Sequence, residues 1–512
     1  MSYVKLGKYL IMRFSAVIFV VVFLVSAAVS QSPESTPNAE IPRAVELLNK
    51  KQFAEAESLL RELIRKEPQN TDANFLLGTL LVRASKTAEG LALLENVLKI
   101  NRNHVQANYN IALIYSSRGE DAKALPYLET AAGVTPQTRS IKSSDTVLLL
   151  ALTRAYIAQK RINDAQAIIA KLEQIGAGDT RVMFTLGLLL ADVGNYSKAA
   201  EIFETVNLQR PNTFEVVYNL GVANYNLDRI AEAKELMLSA IRLKKDQAEP
   251  YYRLGLIYSG EGDSDGAVSY WLEAIRLKPD FHEANFLIGE ELLKNKKVSG
   301  ALAFYQRATE LQPENALYQL RVGIAYFRVE RHRDAKKVFD EAVAKYPDNI
   351  NFNFLKGYIA RAEGLFDEAI ASFEKVLKLS PDHPDVLANL GYIALERGEL
   401  ANAEQILRKT IKLDPENYSA HYDLGRLLNR KKNYSESVSV LERGAAMNKN
   451  DPGIRYQLFI AYTRLKQKEK ADSAFSEFKR LEKMFNVGSG SANSKDSPQD
   501  LPVIDDLEKS KQ

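Results

Sequence analysis

The spacing of apolar residues along the chain predicts amphipathic helices. From residue 251 onward, apolar and small residues follow the i, i+3, i+4, i+7 spacing of one helix face: Tyr251, Leu254, Gly255 and Tyr258. Gly262 stands where this helix can end, and Pro279 stands where a second helix is prevented from continuing. The segment therefore predicts two helices joined by a short turn and followed by another turn.

The same pattern returns every 34 residues. The first helix has a glycine at one recurring position: Gly255, Gly289, Gly323, Gly357 and Gly391. The second helix has an alanine at another: Ala267, Ala301, Ala335, Ala369 and Ala403. Larger side chains there would push apart two closely crossing helices. Because one helix pair cannot cover its own apolar face, the units are predicted to stack and bury a continuous core.

These units resemble the tetratricopeptide repeat family, whose 34-residue units carry small residues where two antiparallel helices cross and a proline after the second helix. The resemblance covers about residues 37–485 and implies about thirteen units. It implies an all-α fold, a right-handed α-solenoid superhelix of stacked antiparallel helix pairs. Three units are expected over residues 37–138 and ten over residues 146–485, separated by an insertion of seven residues, Arg139–Asp145.

The N-terminal sequence is typical of a secretory signal. A basic stretch ending at Arg13 is followed by an apolar and small run, Phe14–Val29, and small residues precede a predicted cleavage after Ser30. The alternative is a retained signal anchor, because the run is only slightly shorter than a bilayer span. Both interpretations predict that the remaining chain is exported, periplasmic or secreted. Residues 31–36 are predicted to be a linker, and residues 486–512 a disordered polar tail.

Charge and composition remove several classes of function. The formal net charge is +3, and residues 1–30 hold three cations and no acid, so the rest of the chain has no basic excess for nucleic acid. The chain has no cysteine, and its five histidines lack metal-ligand spacing. Gly262-Asp263-Ser264-Asp265-Gly266 fits G-x-S-x-G, but it lies in a predicted helix–helix turn rather than after a strand. We predict no enzymatic activity, no cofactor and no metal site, and a small-molecule substrate is disfavoured.

One position of the first helix is mostly aromatic and, if the array coils as the resemblance implies, points towards a concave groove. We call these residues the aromatic row: Phe75, Tyr109, Phe184, Tyr218, Tyr252, Phe286, Phe354, Tyr422 and Tyr456. Aromatic rings supply large contact areas at binding sites. The alternative is that the rings pack against the neighbouring helix. Further groove-facing candidates are Arg154, Glu290, Arg321, Tyr358, Tyr392 and Arg426.

These features predict a non-catalytic scaffold that binds protein or peptide segments in its groove, outside the cytoplasm, in envelope assembly or export. A first alternative is a polysaccharide-handling or glycan-binding subunit of a secretion or biosynthesis complex, because aromatic faces also stack on sugar rings. A second alternative is a subunit of a larger enzyme whose activity another chain supplies.

Overall fold

The computed structural model describes residues 40–134 and 141–488, and within these ranges the chain forms twenty-six α-helices and no strand. The first fourteen helices are α1 Glu40–Asn49, α2 Phe53–Lys66, α3 Thr71–Arg83, α4 Thr87–Ile100, α5 Val105–Ser117, α6 Asp121–Ala132, α7 Thr146–Ala158, α8 Ile162–Gly176, α9 Thr180–Asp192, α10 Tyr196–Gln209, α11 Phe214–Asn226, α12 Ile230–Leu243, α13 Ala248–Gly260 and α14 Ser264–Leu277. The others are α15 His282–Lys294, α16 Val298–Leu311, α17 Ala316–Arg328, α18 His332–Lys345, α19 Ile350–Ala362, α20 Phe366–Leu379, α21 Pro384–Glu396, α22 Leu400–Leu413, α23 Tyr418–Arg430, α24 Tyr434–Met447, α25 Pro452–Arg464 and α26 Lys468–Gly488.

Packing divides the chain into two compact units, Met1–Tyr270 and Trp271–Gln512, with the division inside α14. Within each unit, an odd-numbered helix packs on the even-numbered helix that follows it, and neighbouring pairs pack on each other. The predicted all-α class and the architecture of antiparallel helix pairs are therefore confirmed. The count of thirteen repeats stays a prediction.

The first helix of many pairs begins at a side chain that caps it. The Asn70 side chain accepts a hydrogen bond from the Ala73 backbone N–H at 2.9 Å, and Asn349 and Asp145 cap α19 and α7 in the same way. An Asn or Asp side chain at this position satisfies one of the backbone N–H groups that have no partner inside the helix. In these pairs a polar loop residue therefore fixes where the first helix starts.

The turn inside each helix pair has a residue in the left-handed region. Five of these residues are glycines, including Gly262 (φ 83°) and Gly398 (φ 79°), and the rest are other residues such as Lys296 (φ 59°) and Glu330 (φ 60°). A left-handed residue reverses the chain within a few positions, so the second helix returns along the first. Gly262 and Gly398 therefore lie in turns, and Ser264 is the first residue of α14.

The recurring glycines of the first helices face large side chains of the second helices. In the second unit, a Cβ atom built on Gly289 would lie 2.5 Å from a ring carbon of Tyr305, and one on Gly357 would lie 2.7 Å from a ring carbon of Phe373. Both rings are fully buried. The small residues predicted that the two helices cross closely. At these crossings the glycine leaves room for an aromatic ring of the partner helix.

Several predicted segments lie outside the described residues. These are the signal (residues 1–30), the linker (31–36), the first two residues of the insertion Arg139–Asp145, and the tail after Gly488. Residues 486–488 belong to α26. In the part of the chain that the structure covers, no helix combines the length and apolar character needed to cross a bilayer.

Candidate protein-interaction surface

Four rings of the aromatic row are buried, which favours the alternative that they pack against neighbouring helices over direct contact with a partner. The exposed fraction is 0% for Tyr218, 2% for Tyr252 and Phe286, and 1% for Phe354. In the second unit the next first helix begins over such a ring: Phe286 stacks on Tyr318 with ring centroids 4.8 Å apart. These four residues are part of the core.

Three other rings of the row are half-buried. Phe75 packs on the His104 ring at 5.1 Å between centroids, and Phe184 packs on Phe203 at 5.6 Å. The Tyr109 hydroxyl donates to Asp145 at 3.4 Å. The pKa of Tyr109 is raised mainly by burial and to a smaller extent by the Asp145 carboxylate. Each ring is partly covered by protein, so these positions retain only limited area for a partner.

Two of the three predicted arginines hold neighbouring helix pairs together. Arg321 forms a two-point ion pair with Glu290, with N–O distances of 2.7 and 2.9 Å, and both side chains are 9% exposed. The guanidinium of Arg321 is buried against a carboxylate, which favours a structural role for this arginine. Arg154 donates to Asp121 at 3.0 Å and to the Ser116 carbonyl at 2.5 Å, and it stays 32% exposed.

The third arginine belongs to a group of polar and aromatic side chains on α19, α21 and α23 of the second unit. We call this group the tyrosine–arginine cluster; its members are Tyr358, Arg361, Tyr392, Glu396, Tyr422, Asp423, Arg426 and Arg430. Tyr358, Tyr392 and Arg426 occupy the same position in successive first helices. The 34-residue register therefore brings them side by side.

Arg361 is held between two tyrosine rings. Its guanidinium carbon lies 4.8 Å from the Tyr358 ring centroid and 4.7 Å from that of Tyr392. Cations placed this way over ring faces are stabilised by the ring quadrupole, by about 0.5–2 kcal/mol. Both contacts restrict the arginine, which lies at the boundary between protein and solvent.

Arg426 is fixed by two carboxylates on adjacent first helices. It donates to Asp423 at 2.9 Å and to Glu396 at 2.7 Å, and its guanidinium lies 5.5 Å from the Tyr422 ring centroid. Arg430 lies 3.6 Å from the same Glu396 carboxylate and donates to a backbone carbonyl. Glu396 thus bridges two arginines, while Asp423 lies beneath Arg426.

The cluster combines a buried carboxyl with excess positive charge. Burial raises the pKa of Asp423 to about 6, against the opposing effects of Arg426 and Arg361. The three arginines outnumber Glu396 and Asp423 at neutral pH. Within the described ranges, no carboxylate lies at ion-pair distance from Arg361, and its buried Nε atom has no hydrogen-bond partner. The surface can therefore accept a carboxylate from outside.

Sequence reasoning found only part of this cluster. It named Tyr358, Tyr392, Tyr422 and Arg426. It missed the other members, which are Arg361, Glu396, Asp423 and Arg430. Arg361 follows Tyr358 by three residues, and Glu396 follows Tyr392 by four, which are the spacings of neighbours on one helix face. A search for charged residues at those spacings along the groove position would have found both.

A separate open cavity lies in the first unit, between α10, α11 and α12. Its volume is about 700 Å³, and its charged lining is mostly acidic: Glu204, Glu232, Glu235 and Arg229. The Arg229 guanidinium donates to Asn224 on the cavity wall at 3.4 Å. Across residues 40–134 and 141–488, no group of three metal-ligating side chains is placed to hold an ion.

Stacked helix pairs with a surface of arginine, tyrosine and carboxylate side chains define a helical-repeat interaction protein. A family model for the tetratricopeptide repeat matches residues 42–84, 76–137, 184–248, 252–316, 320–384 and 354–417, and a second model with the same description matches residues 394–456. The matched segments cover more than half of the chain. The chain belongs to the tetratricopeptide repeat family. Proteins of this family are typically protein-interaction scaffolds and generally lack enzymatic activity.

One curated relative and several solved structures are similar to parts of the chain. The peroxisomal targeting signal receptor of Saccharomyces cerevisiae is 24% identical over 180 residues, which are 35% of this chain and 29% of that protein. This chain therefore spans less than a third of that relative. The crystal structure of MamA is 26% identical and covers 31% of this chain and 96% of its own, with a TM-score of 0.29. The yeast Tom70 structure is 14% identical and covers 88% and 96%, with a TM-score of 0.32.

Proposed function

We propose that the chain is a non-catalytic scaffold that binds an acidic segment of a partner protein on the tyrosine–arginine cluster. The observation that carries this proposal is Arg361, a guanidinium between two tyrosine rings with no carboxylate at ion-pair distance among the described residues. Arginine presents several donors in a rigid plane that fits a carboxylate. The bound segment supplies the missing acid.

The surroundings of Arg361 favour binding over a purely structural role. Its two ring contacts hold the side chain in place before a partner arrives, which lowers the entropy lost on binding. Arg426 and Arg430 lie on α23, two first helices beyond Arg361, so an extended segment that crosses α19, α21 and α23 meets positive charge at both ends. Glu396 lies between them and disfavours a segment that is uniformly acidic.

We further propose that the scaffold works outside the cytoplasm, in envelope assembly or export. The support for this location is the basic stretch ending at Arg13 and the apolar run Phe14–Val29. The glycan-binding alternative is not retained. It rests on a long row of accessible rings, and Tyr218, Tyr252, Phe286 and Phe354 have no accessible face.

The binding proposal is tested by cross-linking and affinity capture of the tagged full-length chain in its own cells, followed by binding of peptides from each captured protein. Arg361→Gln removes the charge. The matched control is Arg307→Gln, which removes an exposed arginine of α16 whose side chain is 48% exposed. Circular dichroism first establishes that both variants keep the parent helix content.

An arginine at the centre of an interface contributes about 2 kcal/mol or more, so Arg361→Gln is expected to weaken peptide binding by about 30-fold. Arg307→Gln is expected to bind as the parent does, and binding is expected to weaken as salt rises. Equal capture and affinity for parent and Arg361→Gln would refute the cluster as the binding surface. The location is tested separately by fractionation with and without residues 1–30; cytoplasmic recovery of the full chain would refute export.

A further inference from the structure

The last described helix pair, α25 and α26, has an aromatic face that is more exposed than the equivalent face of α19. Tyr456 occupies the position of the aromatic row in α25, and it is 42% exposed, whereas Phe354 at the same position in α19 is 1% exposed. In the second unit the next first helix contacts this position, as Tyr318 does with Phe286. No first helix follows α26 in the region that the structure describes, so the equivalent surface is open.

Four rings form this surface, which we call the terminal aromatic patch: Tyr456, Phe459, Phe475 and Phe478. The ring centroids of Tyr456 and Phe478 are 5.3 Å apart, and those of Phe459 and Phe475 are 4.7 Å apart. The other three rings are partly buried. The rings of α25 and α26 therefore form one apolar surface on which a further segment can pack.

The border of the patch on α26 carries two lysines and one acid, Glu482. The Lys479 ammonium lies 4.6 Å from the centroid of the Phe475 ring, and Lys483 follows one turn later on α26. Neither lysine has a carboxylate at ion-pair distance among the described side chains. An occupant of the patch is therefore expected to combine apolar and acidic residues.

We propose that residues 500–508 of the same chain dock on the terminal aromatic patch. This segment reads Asp-Leu-Pro-Val-Ile-Asp-Asp-Leu-Glu: five apolar residues and four acids, with no base. Its apolar residues match the four rings, and its acids match Lys479 and Lys483. The segment lies outside the described residues. Its composition is the reason for proposing it as the occupant of the patch.

The connection between the patch and the segment is long enough. Eleven residues separate Gly488 from Asp500, and a Gly/Ser-rich chain of that length has a root-mean-square end-to-end distance of about 20 Å. Phe478 lies ten residues before Gly488 on α26, and this is about 15 Å along the helix axis. A tether of this length gives an effective concentration in the millimolar range, which favours the same chain over a second copy at micromolar protein.

Docking of this segment would cover the four rings of the terminal aromatic patch and withhold them from other chains. The cluster on α19, α21 and α23 is a different surface, so this inference does not depend on the proposed function.

Disulfide trapping in the full chain tests the proposal, and the absence of native cysteine makes each engineered pair the sole disulfide. One variant combines Val503→Cys with Glu482→Cys, because residue 482 shares a helix face with Phe475 and Phe478. The control combines Val503→Cys with Met484→Cys. Met484 is 59% exposed on the opposite face of α26 and has nearly the same tether length.

The intramolecular disulfide is expected to form at least tenfold faster in the Glu482→Cys variant than in the control, after both rates are normalised to reaction with a small neutral disulfide. Adding Leu501→Asp, Ile504→Asp and Leu507→Asp is expected to reduce the faster rate to the control rate. Circular dichroism checks that each variant is folded. Equal rates in the two variants would overturn the proposal. A disulfide that forms mainly between chains would also overturn it and would identify a second copy as the occupant.

Discussion

The strongest test of the packing between helix pairs compares two residues of the aromatic row. Phe354 and Tyr456 occupy the same position in α19 and α25, but their exposed fractions are 1% and 42%. Phe354 lies between three rings, those of Tyr358, Phe373 and His383, with centroid distances of 6.3, 6.0 and 5.8 Å. The substitutions Phe354→Ala and Tyr456→Ala therefore remove a similar ring from a closed and an open environment.

The expected losses of stability differ by about a factor of three. Removing a fully buried phenylalanine leaves a cavity and costs about 3–5 kcal/mol. Tyr456 buries little more than half of its side chain, and solvent or neighbouring side chains can fill the space it leaves. Its removal is therefore expected to cost about 1–1.5 kcal/mol, half of the transfer free energy of a large apolar side chain.

Hydrogen exchange is the appropriate assay because repeat arrays do not always unfold in one step. The free energy of opening is measured for the amides of α19 and α21 in one variant and of α25 and α26 in the other. The large loss for Phe354→Ala is expected in α19 and α21. Losses that agree within about 0.5 kcal/mol, or a larger loss for Tyr456→Ala, would refute the assignment of the row to the core.

Three further predictions concern the second unit. Gly323→Ala places a methyl group against the buried Phe339 ring and is expected to cost about 1–2 kcal/mol in urea denaturation, after the gain in helix propensity. Arg321→Met leaves Glu290 buried without its ion-pair partner and is expected to cost about 3–5 kcal/mol in the same assay. Asp423 holds its proton up to about pH 6 when folded but only to about 3.8 when unfolded, so its contribution to stability falls as pH rises between these values. The loss of unfolding free energy between pH 4 and pH 7 is expected to be about 2–3 kcal/mol smaller in Asp423→Asn than in the parent, as measured by denaturation at both pH values.

Each of these predictions has a control in the same unit. Gly300 lies in α16 with no neighbour closer than 3.5 Å to an added Cβ atom, so Gly300→Ala is expected to be neutral or stabilising. Glu290→Gln combined with Arg321→Met is expected to recover part of the loss, since no buried charge remains. For the third prediction, the parent chain measured at the same two pH values is the control for Asp423→Asn. If a variant and its control gave the same result, the physical explanation given for that variant would be contradicted.

The sequence was sufficient for the helix pairs because their main determinants are local and periodic. Gly323 and Ala335 recur in register, and their small size follows directly from the need for two helices to cross closely. The turns were predicted only in part. Gly398 marks a turn by its residue type, but Lys296 and Glu330 adopt the same left-handed backbone without any signal in their side chains.

The surface was harder to predict because burial depends on the next helix pair. Tyr252 and Tyr456 look equivalent in sequence, yet one is covered and the other is open. The ion pair between Glu290 and Arg321 joins residues 31 positions apart, which neither local spacing nor the repeat length indicates. Periodicity identifies which residues share a position, whereas their neighbours decide whether that position is core or surface.

The left-handed residue in the turn of every described pair has a consequence for how such a chain can change its length. Lys296 and Glu330 adopt nearly the same backbone conformation, so deletion of the 34 residues from one to the other would join two equivalent turns. Duplication of the same stretch would also create no new kind of junction. Array length can therefore evolve by whole units, while a segment such as Arg139–Asp145, which is shorter than one unit, has to be accommodated between pairs.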